Sequence, residues 1–92
     1  MKVIYKYVLE SKEIQEIEIP YNALILSCQF QNNELCIWAN VDPEEKKGKL
    51  KILILGTGNP IPEEYLNGCY EFLATVQVGI FVWHVFKFYS II

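Results

Sequence analysis

Short segments rich in β-branched and aromatic residues recur along this chain, separated by polar, glycine or proline breaks. Residues 3–9 read Val-Ile-Tyr-Lys-Tyr-Val-Leu, and glutamates alternate with isoleucines over residues 16–19. A period of two is typical of β-strands, and no segment has the 3.6-residue period of an amphipathic helix. The sequence therefore predicts an all-β fold, a small antiparallel sandwich or a partly open barrel of about seven strands.

The breaks between these segments predict where the strands end. Residues 10–12 suit a hairpin between the first two strands, and Pro20 ends the second because proline donates no backbone hydrogen bond. Asn32 and Asn33 suit a tight turn because asparagine tolerates positive φ. The predicted strands span residues 3–9, 13–19, 23–31, 35–41, 50–55, 69–78 and 80–89.

Three finer expectations follow from the same pattern. In the third strand, alternation puts Leu24, Leu26, Cys28 and Phe30 on one face. Asp42 is suited to cap a single helical turn within the charged residues 42–49, and residues 63–68 suit a brief helix ending at a glycine. The nearly all-apolar residues 50–55 predict a strand that is covered on both faces.

Size and charge limit the function classes. The 92 residues form one domain, residues 1–92, with a net charge of −3 and lysine as the only strong base. Without arginine, the side chain best suited to bidentate phosphate and guanine contacts, an acidic domain is a poor binder of duplex nucleic acid. No apolar run reaches the ~20 residues that span a bilayer, and no signal segment is evident. We therefore expect neither membrane nor duplex nucleic acid as a partner, and a cytoplasmic location.

The three cysteines and the single histidine give only weak signals of chemistry. Cys28, Cys36 and Cys69 are odd in number and widely spaced, which favours small buried side chains over a disulfide framework or a zinc site. His84 in a strand is most simply a half-buried histidine with a hydrogen bond. We therefore predict no metal, no cofactor and no catalytic residue, and keep a cysteine nucleophile with His84 as general base as an alternative.

The loop from Gly56 to Pro62 is the most distinctive in the chain. Two glycines and two prolines in seven residues specify a fixed backbone path. The loop matches neither a dinucleotide-binding fingerprint nor a Walker loop, yet amides around two glycines can bind an anion without either motif. The predicted ligand-binding residues are Gly56, Thr57, Gly58, Asn59 and Pro60.

The aromatic content exceeds what a core of this size needs. Two tryptophans, six tyrosines and five phenylalanines are present, and several are expected at the surface. Such side chains supply much of the binding energy of protein interfaces, so we expect a homo-oligomer or a face that binds a partner. The predicted interface residues are Trp38, Phe81, Trp83, His84, Phe86, Phe88 and Tyr89.

An ordered set of short blocks resembles a family of short, mostly uncharacterised proteins encoded by bacteriophages and prophages. Two departures are visible: Asn59 stands where relatives often have histidine, and the chain runs on through residues 87–92. The blocks, in chain order, are IYKY (residues 4–7), IP (19–20), ALILS (23–27), QFQN (29–32), CIWA (36–39), VDP (41–43), GTG followed by PI (56–61) and FVWHVF (81–86).

The resemblance implies a phage accessory protein that acts in the cytoplasm of the infected bacterium or in the virion. Combined with the missing catalytic signatures, it leads us to expect a non-catalytic, oligomeric binding protein that counters a host process such as antiviral defence. It would do so by binding a host protein or by sequestering a small nucleotide-like signal. The alternatives are a structural or virion-associated protein and a Cys/His-dependent enzyme.

Overall fold

Seven antiparallel strands in two sheets make up the fold, as the alternating pattern predicts. The computed structural model describes residues 1–65 and 68–92. The strands are β1 (Val3–Val8), β2 (Ile14–Pro20), β3 (Leu24–Gln31), β4 (Glu34–Val41), β5 (Lys47–Gly56), β6 (Tyr70–Val78) and β7 (Phe81–Phe88), with one 3₁₀ turn at Glu63–Tyr65. In the described part of the chain, no helix has the length and apolar character needed to cross a membrane.

The two sheets form an open sandwich and are not closed into a barrel. One sheet has three strands in the order β1-β4-β3, and the other has four in the order β2-β5-β7-β6. The chain changes sheet after β1, after β2 and after β4, and two hairpins, β3-β4 and β6-β7, join neighbouring strands. β2 lies at a sheet edge, which explains why Pro20 is tolerated as its last residue.

The predicted hairpin between β1 and β2 is wrong, because the two strands lie in different sheets. The side-chain amide of Gln15 closes the connection between them. Its Oε1 accepts a hydrogen bond from the Glu10 backbone N–H at 2.9 Å, and its Nε2 donates to the Glu10 carbonyl at 2.8 Å. This side chain pairs with the backbone as a neighbouring strand would, so the chain can leave one sheet without unpaired backbone polar groups.

The core lies between the sheets and is aliphatic. Inward-facing Ile37, Ala39 and Val41 of β4 meet Leu50 and Ile52 of β5. Burial of this kind is the main favourable term in folding. The core continues towards both ends of the sandwich through partly buried hydrophobic residues, among them Val3, Ile17, Ile25, Leu35, Ile54 and Ile91.

The predicted facing of β3 is only partly right. A register shift between Ile25 and Ser27 interrupts its pairing with β4. This bulge puts Ile25 on the inward side with Cys28, and leaves Leu24 and Leu26 exposed. One extra residue therefore reverses the alternation that the sequence suggests.

The connection into β5 differs from the prediction. No helical turn forms at residues 42–46; instead the Asp42 carboxylate accepts a hydrogen bond from the Glu44 N–H at 3.0 Å, and Glu45 N–H bonds the Asp42 carbonyl. β5 begins at Lys47, three residues earlier than expected, because it pairs with the whole of β2. Of the predicted helix at residues 63–68, only Glu63–Tyr65 is helical, and residues 66 and 67 lie outside the described part.

The four-stranded sheet is covered on both faces over β5, as the apolar run predicts. Ile52 is buried in the core, and Leu53 and Leu55 are buried on the opposite face. Ile61 and Tyr65, from the connection after β5, line a cavity of about 200 Å³ over these leucines. The connection therefore covers this face of β5.

Candidate ligand cleft

A cleft of about 710 Å³ opens between the two sheets at one end of the sandwich. We call it the end cleft. Strand ends and connections from both sheets contribute to it, and two other cavities, of about 290 and 200 Å³, are smaller. The lining residues belong to four regions: 8–13, 30–35, Ile54 with Asn59, and Val78 with Trp83.

The floor of the end cleft is the edge of the core. Leu9 is buried, and Leu35 and Ile54 pack against the core cluster. Backbone hydrogen bonds fix these positions within their sheets: Leu9 N–H donates to the Leu35 carbonyl at 2.8 Å, and Ile54 N–H donates to the Glu13 carbonyl at 2.7 Å. The floor is therefore apolar and rigidly connected to both sheets.

Trp83 forms an aromatic wall of the end cleft. It shares the inward face of β7 with the fully buried Val85. Phe81 stacks on it, with ring centroids 5.9 Å apart. A Cβ at position 56 would lie only 3.2 Å from Cζ3 of Trp83, so Gly56 lets the loop pass close to the indole.

The rim of the end cleft is acidic. Three glutamates line it against one lysine, and the Lys12 ammonium pairs with the Glu10 carboxylate at 3.0 Å. Glu13 and Glu34 are in no ion pair with a described residue. The three glutamates and the one lysine give the rim a net charge of −2.

The Gly56–Pro60 loop reaches the cleft through one side chain. Of the predicted ligand-binding residues, Asn59 lines the cleft, and its N–H is used in a turn to the Gly56 carbonyl at 3.1 Å. Thr57 N–H bonds the Val82 carbonyl at 3.2 Å, and Pro60 has no N–H. Gly58 adopts the φ of +88° that the turn needs. With two loop amides already bonded, little of an anion cradle remains.

His84 lies on the outer face of the four-stranded sheet, between two threonines. The Thr57 hydroxyl lies 2.7 Å from its Nε2, and the Thr75 hydroxyl lies 3.0 Å from its Nδ1. This arrangement ties the loop after β5 to strands β6 and β7. Both ring nitrogens are occupied, which matches the expected half-buried strand histidine.

Neither Cys28 nor Cys36 is placed to act as a nucleophile with His84. Cys28 faces the core, where burial, and to a smaller extent the neighbouring Cys36, raises the pKa of its thiol to about 11. Cys36 is buried on the outer side of the three-stranded sheet, across the sandwich from His84. Among the described residues, no group of three or more His, Cys, Asp or Glu side chains is placed to hold a metal.

The predicted interface residues are spread over three places. Phe81 and Trp83 are at the end cleft, and Trp38 is half-buried on the outer face of the three-stranded sheet. The others lie near the carboxyl-terminal part of β7 on the four-stranded sheet. There Phe86 contacts Phe72 edge-on with centroids 5.7 Å apart, Phe88 contacts Tyr70 at 5.6 Å, and Tyr89 is exposed.

Sequence reasoning missed most of the end cleft. Glu13 and Glu34 read as solvated charges beside turns, and Leu9 reads as an ordinary strand end. Nothing local in the sequence brings residues 8–13 to the β3-β4 turn, because that meeting depends on the pairing of β1 with β4, and two strands lie between them in the chain. The detectable signals were Trp83 and the glycine-rich loop beside it.

Comparison with known proteins identifies a family. The sequence model of the DUF7352 family, a domain of unknown function, matches residues 1–90. No curated protein and no solved structure matches the chain.

Proposed function

The chain belongs to the DUF7352 family, and we propose that it is a non-catalytic binding protein whose end cleft takes a small molecule with an apolar body. The observation that carries this proposal is the end cleft itself. Ligand sites usually have volumes of ~300–1,000 Å³, an apolar lining and a few polar groups at the edge. A cleft of about 710 Å³ with a leucine and isoleucine floor, a tryptophan wall and a polar rim has those properties.

Two modes of binding follow from the sequence, and the geometry favours one. A host-protein interface needs its aromatic anchors in one patch, whereas the predicted anchors are divided among three places. A nucleotide needs donors for its phosphates, whereas the rim carries excess carboxylates and the loop amides of Thr57 and Asn59 are already bonded. Small-molecule sequestration without a phosphate is the mode that these features support.

The biological setting in this proposal comes from the resemblance to phage and prophage proteins. An accessory protein of a phage that acts in the host cytoplasm, as an oligomer, would counter a host process such as antiviral defence by withdrawing a small host molecule. A high copy number would suffice, because sequestration requires only that binding sites outnumber the ligand. A virion-associated role remains the alternative, and mass spectrometry of purified particles distinguishes the two.

The test is capture of a ligand from a bacterial small-molecule extract, read by native mass spectrometry of the full chain. We expect one small molecule to be retained by the wild type. The control variant Trp38→Phe, changed on the outer face of the three-stranded sheet and away from the cleft, should retain it too. Val78→Lys introduces a charge into the end cleft and should abolish retention. Folding of each variant is checked by circular dichroism.

If no extract component is retained by the folded wild type, or if Val78→Lys retains it equally well, the end cleft is not the binding site. Added nucleotides form a separate arm of the experiment. Retention of a nucleotide by the wild type would support a binding function but reverse our choice of ligand class.

A further inference from the structure

We propose that the end cleft selects a cationic ligand, an amine or quaternary ammonium group attached to an apolar body. This inference rests on the proposed function and specifies its ligand class. It is carried by the combination of excess carboxylates and aromatic rings in one cleft. Neither feature alone defines a ligand, but together they are the chemistry by which proteins recognise ammonium groups.

The first step is the charge at the mouth. Glu10 and Lys12 neutralise each other at 3.0 Å, which leaves Glu13 and Glu34 as the uncompensated charges. An anionic ligand would meet net negative charge there, and a neutral one would gain nothing from it. A cation would be attracted, and the net charge of −3 on the whole chain would aid its approach.

The second step is the aromatic lining. Trp83 and Phe30 line the same cleft as the two carboxylates. The face of an aromatic ring is electron-rich, and tryptophan is the side chain that attracts cations best. An ammonium group in this cleft would therefore find carboxylates and aromatic rings together.

The third step is the floor. Leu9, Leu35 and Ile54 offer an apolar surface that continues the core, so the rest of the ligand must be hydrocarbon or aromatic. A small, fully hydrated cation such as a metal ion would leave this surface unused. The cleft therefore fits an amphipathic amine and fits a bare cation poorly.

The experiment compares three probes with one carbon skeleton: phenylbutylamine, phenylbutanol and phenylbutyrate. Binding to the full chain is followed by Trp83 fluorescence in a Trp38→Phe background, so that one tryptophan reports. We expect the amine to bind about tenfold more tightly than the alcohol and phenylbutyrate to bind most weakly. Added salt should weaken the binding of the amine and leave the binding of the alcohol nearly unchanged.

Variants identify the carboxylates responsible. Glu13→Gln and Glu34→Gln should each weaken the amine about fivefold and leave the alcohol unchanged, as expected when one partly solvated ion pair is removed. The matched control is Glu44→Gln, which removes the same charge at the other end of the sandwich, between β4 and β5. It should change the affinity for no probe.

The outcomes separate the inference from the proposed function. If the three probes bind equally, or if phenylbutyrate binds best, charge selection is overturned while the cleft remains a binding site. If no probe binds and the extract yields no ligand, both proposals fail. Glu44→Gln and Glu34→Gln weakening the binding of the amine equally would show that the effect comes from the overall charge of the protein and not from the rim carboxylates. That result also overturns the inference.

Discussion

Cys28 is a buried residue whose titration links the stability of the fold to pH. Its thiol faces the core with 7% of its surface exposed, and burial raises its pKa from 9.0 to about 11. The folded protein thus holds the proton more tightly than the unfolded chain does. The stability linked to that proton is complete below the unfolded pKa and is lost as pH rises through the folded pKa.

We therefore predict that the wild type loses about 2 kcal/mol of unfolding free energy between about pH 8 and pH 11 through this group. Urea unfolding at both pH values measures it, with Cys28→Ala as the reference. Tyr7, whose pKa burial and Tyr5 also raise, titrates in both proteins and cancels in the difference. Equal losses in the two proteins would show that Cys28 does not ionise in the folded state at a raised pKa.

Gly48 is a residue whose lack of a side chain is required by its neighbours. A Cβ there would lie 2.7 Å from Cγ2 of Ile91 and 2.9 Å from the Ile92 carbonyl oxygen. Those residues pair with β5, since Lys49 and Ile92 exchange two backbone hydrogen bonds of 2.7 and 2.9 Å. We predict that Gly48→Ala destabilises the fold by about 1–3 kcal/mol through overpacking. Thermal unfolding measures it, and Lys49→Ala, at an exposed neighbour, should lower the melting temperature far less.

At the scale of elements, the β3-β4 hairpin depends on its two-residue turn. Asn32 and Asn33 have φ of 52° and 64°, and Gln31 pairs directly with Glu34 across the turn. Two successive positive φ values are those of a type I′ turn, which Asn-Gly favours most. We predict that Asn33→Gly raises the unfolding free energy by about 0.5 kcal/mol and that Asn33→Val lowers it by about 1–2 kcal/mol. Chemical unfolding measures both, and the reverse order would contradict the turn assignment.

The same scale separates what sequence predicts from what it does not. Strand existence and the Asn32-Asn33 turn are local, because alternation and positive φ depend on neighbouring residues only. The crossover after β1 is closed by the hydrogen bonds between the Gln15 side chain and the Glu10 backbone. The bulge in β3 is defined by the pairing of that strand with β4. The end cleft follows the same rule: Trp83 and Asn59 are visible in the sequence, but the rim is assembled by strand order.

At the scale of the whole molecule, self-association remains a prediction, and the outer face of the three-stranded sheet is where it would occur. Ile4 and Leu24 on this face are 64% and 62% exposed, on either side of Asn40. The Asn40 side-chain oxygen is buried and accepts no hydrogen bond from a described residue. A buried acceptor without a donor is rare, and the exposed apolar side chains around it are what a second copy would cover.

We therefore predict that light scattering gives a multiple of the 10.7 kDa chain mass. Leu24→Lys, which puts a charge on the apolar face, should reduce the mass to that of one chain. A wild type that is monomeric at high concentration would remove the homo-oligomer from the proposed function.

The residues that surround the end cleft belong mostly to turns and strand ends, whereas its floor belongs to the core. Substitutions at the rim therefore cost little in folding free energy, since connections tolerate change better than packed strands do. A lineage that keeps this sandwich is free to change what the cleft captures by altering the short connections around it. The same core can therefore carry clefts that prefer different ligands.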